Sequence, residues 1–357
     1  MSPEEGTVRR CSPLHANSQG CCRLCRLPGN GCGDASARKL AAFQKGRFYE
    51  AWEILDEVED VLSSTDDYMS LGNLYSTRGR MTRRDGRYER SLEYFERAIR
   101  EYKKRNARHR NIGRALTNLA SVKRLIATQI VRRIDEAASR GESATGQRQR
   151  FERLREESMS HLRTAERIFD RRRHHHGLGN IMLVRGLLAL DGGDLSGAQD
   201  EARQAYASGD KQEDRLLMAR ARILSCMVEN ARFDEQIEEF DDPSRHAQRS
   251  FDYGLEAVEL ARQTQNTRLL ARAFVWVGLT LSNGFFNDIE AAREYSDRAV
   301  GLLRSGGTDH SWRDHQTLRQ RIVGSGEIDE RLKEWSQGHI GTMTLPRFDV
   351  HHFPKQS

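Results

Sequence analysis

The sequence predicts an all-α chain built from helical hairpins, and three observations carry that expectation. Apolar residues recur with helical spacing over most of the chain, and no stretch sustains the alternation of a half-buried strand. In "RSLEYFERAIREY", for example, Leu92, Phe95, Ala98, Ile99 and Tyr102 fall on one stripe. Only 6 prolines occur, none of them between residues 30 and 240, so long helices can run there unbroken. Finally, one pattern of small and apolar positions is written twice. Gly79, Gly86, Tyr88, Ser91, Phe95 and Ala98 are separated by 7, 2, 3, 4 and 3, and Gly186, Gly193, Leu195, Ala198, Ala202 and Ala205 repeat those spacings.

Residues 1–37 read as a loose tail rich in Gly, Ser, Pro and Arg. Five of the six cysteines lie in it: Cys11, Cys21, Cys22, Cys25 and Cys32. Cys22-x2-Cys25 has zinc-knuckle spacing, and Cys32 or His15 would complete four ligands. A second strong ligand pair is missing, so a tail is expected rather than a metal site. The first hairpin is expected over 38–62, where Gly46, Phe48, Ala51, Leu55 and Val58 repeat the later spacings, although Lys39 stands where a small residue belongs. The second spans 68–103. The third spans 112–170, with Ala120 in the role of Gly79 and Ser158, Leu162 and Ala165 on its second helix. The residues inserted between them keep helical spacing, which predicts a protruding pair of lengthened helices.

The run "RRRHHHG" (171–177) is expected to close the second helix of that hairpin before a Gly177 cap. It is not expected to bind a metal, because consecutive side chains on a helix cannot all face one ion. The fourth hairpin spans 177–208. The fifth, over 213–264, is placed on Ala221 with Gly254, Val258 and Ala261, and its insertion reads as a loop with a short helix. Gly278 with Ala292, Ser296 and Ala299 defines the sixth, over 268–304. Two polar capping helices are expected within 305–337, followed by a flexible tail over 338–357.

A small-residue first helix, a tight turn and a second helix with small–large–small positions, recurring at about 34 residues, resemble the tetratricopeptide repeat family. The resemblance covers roughly residues 38–304. It implies an α-solenoid of about six hairpins wound into a right-handed superhelix, with the first helices lining a concave groove. It further implies that the groove positions lie six and three before, and one and four after, each small residue. The candidates this gives are Asn73, Arg80, Arg83, Arg114, Arg124, Asn180, Leu183, Leu187, Arg215, Arg222 and Arg272. Seven of the twenty groove positions are Arg and none is acidic, in a chain with 58 basic and 52 acidic residues. Arg offers paired donors to carboxylates, so the expected ligand is an acidic segment of another protein or a C-terminal carboxylate. Leu183, Leu187 and Leu190 would add an apolar patch.

Other function classes find little support in the sequence. A net charge of +6 on 357 residues describes a mixed-charge surface, so nucleic acid is not an expected partner. No apolar run approaches the ~18 residues of a membrane span, and the first residues lack an apolar signal core, so a cytoplasmic protein is expected. Phosphate-binding glycine loops, a nucleophile elbow and an HExxH helix are all missing, and Asp241 and Asp242 belong to a charged loop. Cys226, Trp276 and Trp312 read as packing residues. The chain is therefore expected to be a scaffold without enzymatic activity, cofactor or metal, with self-association through the hairpin at 126–155 left open. An alternative rests on "EWSQGHIGTMTLPRF", which resembles the linker to a C-terminal helix-turn-helix in some bacterial regulators. On that reading the chain is the sensor part of a regulator whose DNA-binding module is missing.

Overall fold

The computed structural model describes residues 48–171, 175–236, 244–303 and 314–324. Among the described residues there are twelve helices and no strand. They are α1 (Phe48–Ser63), α2 (Tyr68–Arg84), α3 (Tyr88–Arg105), α4 (Arg110–Ser139), α5 (Thr145–Arg171), α6 (His175–Asp191), α7 (Leu195–Lys211), α8 (Arg215–Gln236), α9 (Ser244–Gln263), α10 (Thr267–Leu281) and α11 (Ile289–Leu303), with α12 over residues 314–324. None is long and apolar enough to cross a membrane. The cysteines of the first 37 residues, Asp241, Asp242, Trp312, the second expected capping helix and the C-terminal tail lie outside the described residues.

Neighbouring helices pack in pairs: α2 on α3, α4 on α5, α6 on α7, α8 on α9 and α10 on α11. The first helix of each pair also touches the first helix of the next, so α2, α4, α6, α8 and α10 form one layer. The turn between α2 and α3 and the turn between α6 and α7 are the same turn. Gly86 and Gly193 adopt φ of 75° and 79°, where glycine carries no Cβ penalty. The amides of Arg87 and Asp194 each bond back five residues, to Thr82 and Ala189, at 2.9 Å.

Small residues hold each pair together by close approach. The Ser91 hydroxyl donates to the Gly79 carbonyl at 2.7 Å, and a Cβ on Gly79 would sit 2.9 Å from the Phe95 ring. Ser158 donates in the same way to the Ala120 carbonyl at 3.3 Å. In the last pair, a Cβ on Gly278 would lie 3.3 Å from the Ala292 carbonyl. A second small position lies seven residues earlier on every first helix: Gly72, Gly113, Gly179, Ala219 and Ala271. The Tyr102 ring lies against Gly72 and the Phe169 ring against Gly113.

The α8–α9 pair departs from the spacing expected for the fifth hairpin. The Ser250 hydroxyl donates to the carbonyl of Cys226 at 3.2 Å, so Cys226 and Ser250 occupy the places of Gly79 and Ser91. Ala219, seven residues before Cys226, confirms that register, and Gly254 and Ala257 then fall where Phe95 and Ala98 stand. Ala221 is buried, but against the preceding helices α6 and α7. The insertion expected as a loop with a short helix instead lengthens α8 to Gln236, and α9 begins at Ser244.

Two further expectations meet the structure differently. The first insertion does lengthen its helices, to 30 residues in α4 and 27 in α5, with Ile130, Ile134, Phe151 and Leu154 packed along the extension. The histidine run, by contrast, does not close a helix before a glycine cap. α5 ends at Arg171 and α6 starts at His175, so Gly177 is a buried residue of the first turn of α6. At the far end α12 covers α10 and α11. Leu318 is fully buried against Gly278, and His315 Nε2 lies 2.9 Å from the Ser296 hydroxyl.

Candidate functional site

The layer of first helices carries arginines of two kinds. Those that look toward the second helices are matched with acids. Arg78, one residue before Gly79, reaches Asp56 and Glu59 of α1. Arg185, one residue before Gly186, bridges Glu166 of α5 and Glu201 of α7, each at 2.8 Å. Several of the arginines at the groove positions have other cations as neighbours, and these fall into two groups.

One group surrounds the Tyr102 hydroxyl. Tyr102 belongs to α3, a second helix, but its ring passes over Gly72, which has no Cβ to block it, and brings the hydroxyl to α2. There the hydroxyl donates to Asn73 Oδ1 at 2.8 Å, and Asn111 Nδ2 of α4 donates to the same oxygen at 3.1 Å. Burial pushes the Tyr102 hydroxyl up to about 12, against the opposing pull of the Arg80 and Arg114 guanidiniums. Arg80 is held below the ordinary guanidinium range by burial and then by Arg114. Arg114 is lowered by burial and then by Arg110.

The second group centres on Arg220 of α8. Its Nη1 donates to Asn180 Oδ1 of α6 at 2.6 Å, while Arg83 of α2 donates to Asn118 Oδ1 of α4 at 3.3 Å. Burial, followed by the guanidiniums of Arg83 and Arg272, pushes Arg220 down to about 10, with Asp214 pulling the other way. Asp214 also caps α8, accepting from the Leu217 amide at 3.0 Å. Arg272 of α10 turns its Nε edge toward Asp314 of α12 at 3.8 Å.

The structure rearranges part of the candidate set. Asn73, Arg80, Arg83, Arg114, Asn180 and Arg272 take part in these two groups. Arg124 does not. Its Nε and Nη2 make a two-pronged pair with Asp191 at 2.6 and 2.8 Å, and it is buried. Arg215 is an exposed residue of the first turn of α8. Arg222 pairs with Glu256 at 2.6 Å and lies 3.7 Å over the Tyr206 ring. Leu183 is only 2% exposed, so it belongs to the core and offers no anchor to a ligand. Leu187 and Leu190 are half-buried against the core.

Arg220 was not among the sequence candidates. With Cys226 as the small residue, the fifth-pair groove positions become Arg220, Ile223, Met227 and Asn230 in place of Arg215, Met218, Arg222 and Ser225. Six of the twenty positions are then Arg, and again none is acidic. The signal that would have found Arg220 is the small residue seven places before each tight contact, which Ala219 and Cys226 satisfy.

A cleft of about 910 Å³ opens elsewhere, between α5, α6 and α7. Glu152, Glu156, Arg163, Arg185 and Glu201 line it. Arg185 pairs there with Glu201 and Arg155 with Glu152, and no arginine of the two groups lines it. Among the described residues no group of His, Cys, Asp and Glu is placed to hold a metal ion. Cys226 is buried in a polar knot with Asn230, Ser250 and Thr280, which fits its reading as a packing residue. Trp276 is half-buried against the core of the last pairs. No protein-family model matches the chain, and no curated protein matches its sequence.

Proposed function

We propose that the chain is a tetratricopeptide-like solenoid, a right-handed superhelix of helical pairs, that acts as a scaffold without chemistry of its own. On this reading it binds an acidic segment of a partner protein along the face of α2, α4, α6, α8 and α10. The observation that carries the reading is the gathering of like charges at the groove positions: Arg80 beside Arg114, and Arg220 beside Arg83 and Arg272. Holding guanidiniums together costs folding free energy, and a bound anion reverses that cost. The pairing of helices and the contact of each first helix with the next support the solenoid.

The test uses degenerate peptide libraries with a fixed centre of three glutamates, three serines or three lysines. Fluorescence anisotropy at low salt compares the native chain with an Arg80→Glu/Arg220→Glu variant. The glutamate library should bind best, and charge reversal should weaken it at least tenfold while the helical circular dichroism signal is kept. Equal binding by the native chain and the variant would place the ligand elsewhere.

A further inference from the structure

The last described helix, α12, continues the layer of first helices. Leu224 of α8 packs on Gly186 of α6, where a Cβ would lie 2.6 Å from it, and Leu318 of α12 packs on Gly278 of α10 in the same way, at 2.7 Å. Four residues before Leu224 stands Arg220, at a position proposed for the groove, and four before Leu318 stands Asp314. The row that this position traces along the first helices therefore reads Asn73, Arg114, Asn180, Arg220, Arg272 and Asp314. Asp314 is the one acid in it. Members of the row meet across neighbouring helices: Arg220 donates to Asn180 at 2.6 Å, and Asp314 Oδ2 lies 3.8 Å from Arg272 Nε.

We propose that Asp314 is a built-in competitor for the partner's acidic segment: it holds Arg272 at the end of the groove until a carboxylate of the segment replaces it. The inference rests on the groove reading above and adds the regulation of that site. Two features make the pair exchangeable. Its distance is beyond hydrogen-bond reach, whereas Arg124 and Asp191 make a buried two-pronged pair at 2.6 and 2.8 Å. A segment carboxylate that takes paired guanidinium donors therefore makes a stronger contact than Asp314 does. The Arg272 and Asp314 side chains are 15% and 25% exposed, so they are within reach of an incoming segment. The second feature is α12 itself. Residues 314–324 are fewer than the ~12–15 that let an isolated helix persist, so α12 depends on its contacts. Those are Leu318 on Gly278, His315 on Ser296 at 2.9 Å and Arg321 on Asp234 at 3.4 Å. A terminal element held by so few contacts opens at low cost.

The experiment titrates the full chain with the degenerate libraries of three glutamates or three serines, read by fluorescence anisotropy at low salt. Asp314→Asn should bind the glutamate library at least about threefold more tightly than the native chain does. Arg272→Gln should abolish that gain in the Asp314→Asn background and cost less in the native background, where Asp314 already compensates Arg272. Asp314→Glu keeps the charge and should bind no more tightly than the native chain. Glu290→Gln makes the same change of charge at an exposed residue in the first turn of α11, and should stay within about twofold of the native chain. If Asp314→Asn gains nothing while the native chain still prefers glutamates to serines, this inference fails and the groove reading stands. An equal gain in Glu290→Gln would make the effect one of overall charge and overturn the inference as well. Equal costs of Arg272→Gln in the two backgrounds would do the same, because they would uncouple Asp314 from Arg272. Should neither chain prefer glutamates to serines, the groove reading fails with it.

Discussion

Arg220 and Arg124 are both groove-position arginines on first helices, yet their substitution should move stability in opposite directions. At neutral pH Arg220 is charged in the folded and unfolded chain alike, but burial in the folded chain lowers it from the ordinary guanidinium range to about 10. At about 1.4 kcal/mol for each tenfold change, that drop costs the fold up to about 3 kcal/mol, less whatever water at this partly exposed side chain screens. The cost is complete below pH 10 and is relieved as the pH rises above about 10, because the unfolded chain holds the proton longer. Arg220→Gln removes the charge and loses the bond to Asn180, which is worth about 0.5–1.5 kcal/mol. The net expectation is a gain of about 1–2 kcal/mol at pH 7, equivalent to a rise in Tm of several degrees at ~2–4 °C per kcal/mol. Arg124→Gln instead strands Asp191, whose side chain is 17% exposed, and should cost about 2–3 kcal/mol. Urea unfolding of the two variants beside the native chain measures both. A loss of 1 kcal/mol or more in Arg220→Gln would refute the reasoning, because it would make Arg220 a stabilising partner rather than part of a strained cationic centre.

Three further outcomes follow from local geometry. Gly186→Leu should destabilise the chain by at least about 1–3 kcal/mol, since a Cβ there would lie 2.6 Å from Leu224 and 3.3 Å from the Ala198 carbonyl; an unchanged urea midpoint would contradict the close packing of α6, α7 and α8. Glu213 and Gln265 both hold φ at 53° in the turns before α8 and α10, so Glu213→Gly and Gln265→Gly should each raise stability by about 0.5 kcal/mol, with the relieved strain exceeding the added chain entropy. Burial pushes the Cys226 thiol up to about 11, leaving about one thiolate in a thousand at pH 8; iodoacetamide should spare the Cys226 peptide in native buffer and label it in urea, as read by mass spectrometry.

The pairing of helices was legible because close approach of two helices demands small residues at fixed intervals. Gly79 with Ser91 and Gly186 with Ala198 show the same interval of 12 residues in the bare sequence, and Gly278 with Ala292 a nearby one of 14. The fifth pair misled for the same reason. Ala221 and Gly254 are small residues near the expected places, but a thiol and a hydroxyl, Cys226 and Ser250, make the contact. The basic bias of the positions proposed for the groove was also legible from position alone. What each arginine does there was not, since it depends on residues far away in sequence. Asp191 lies 67 residues from Arg124, and Asn180 lies 40 residues from Arg220. The Tyr102 hydroxyl escaped notice because a tyrosine on the apolar stripe of a second helix reads as core, and only the missing Cβ of Gly72 lets its polar end through.

The central claim is that the ligand lies along the first helices, and arginine footprinting tests it most directly. The chain is treated with phenylglyoxal, alone and with the tightest-binding peptide from the acidic libraries, and modification is mapped by mass spectrometry. Protection is expected at Arg80, Arg83, Arg114, Arg220 and Arg272, while the exposed Arg132, Arg133 and Arg148 of the α4–α5 extension react equally in both samples. Protection confined to that extension, or to Arg155 and Arg163 beside the α5–α7 cleft, would contradict the account.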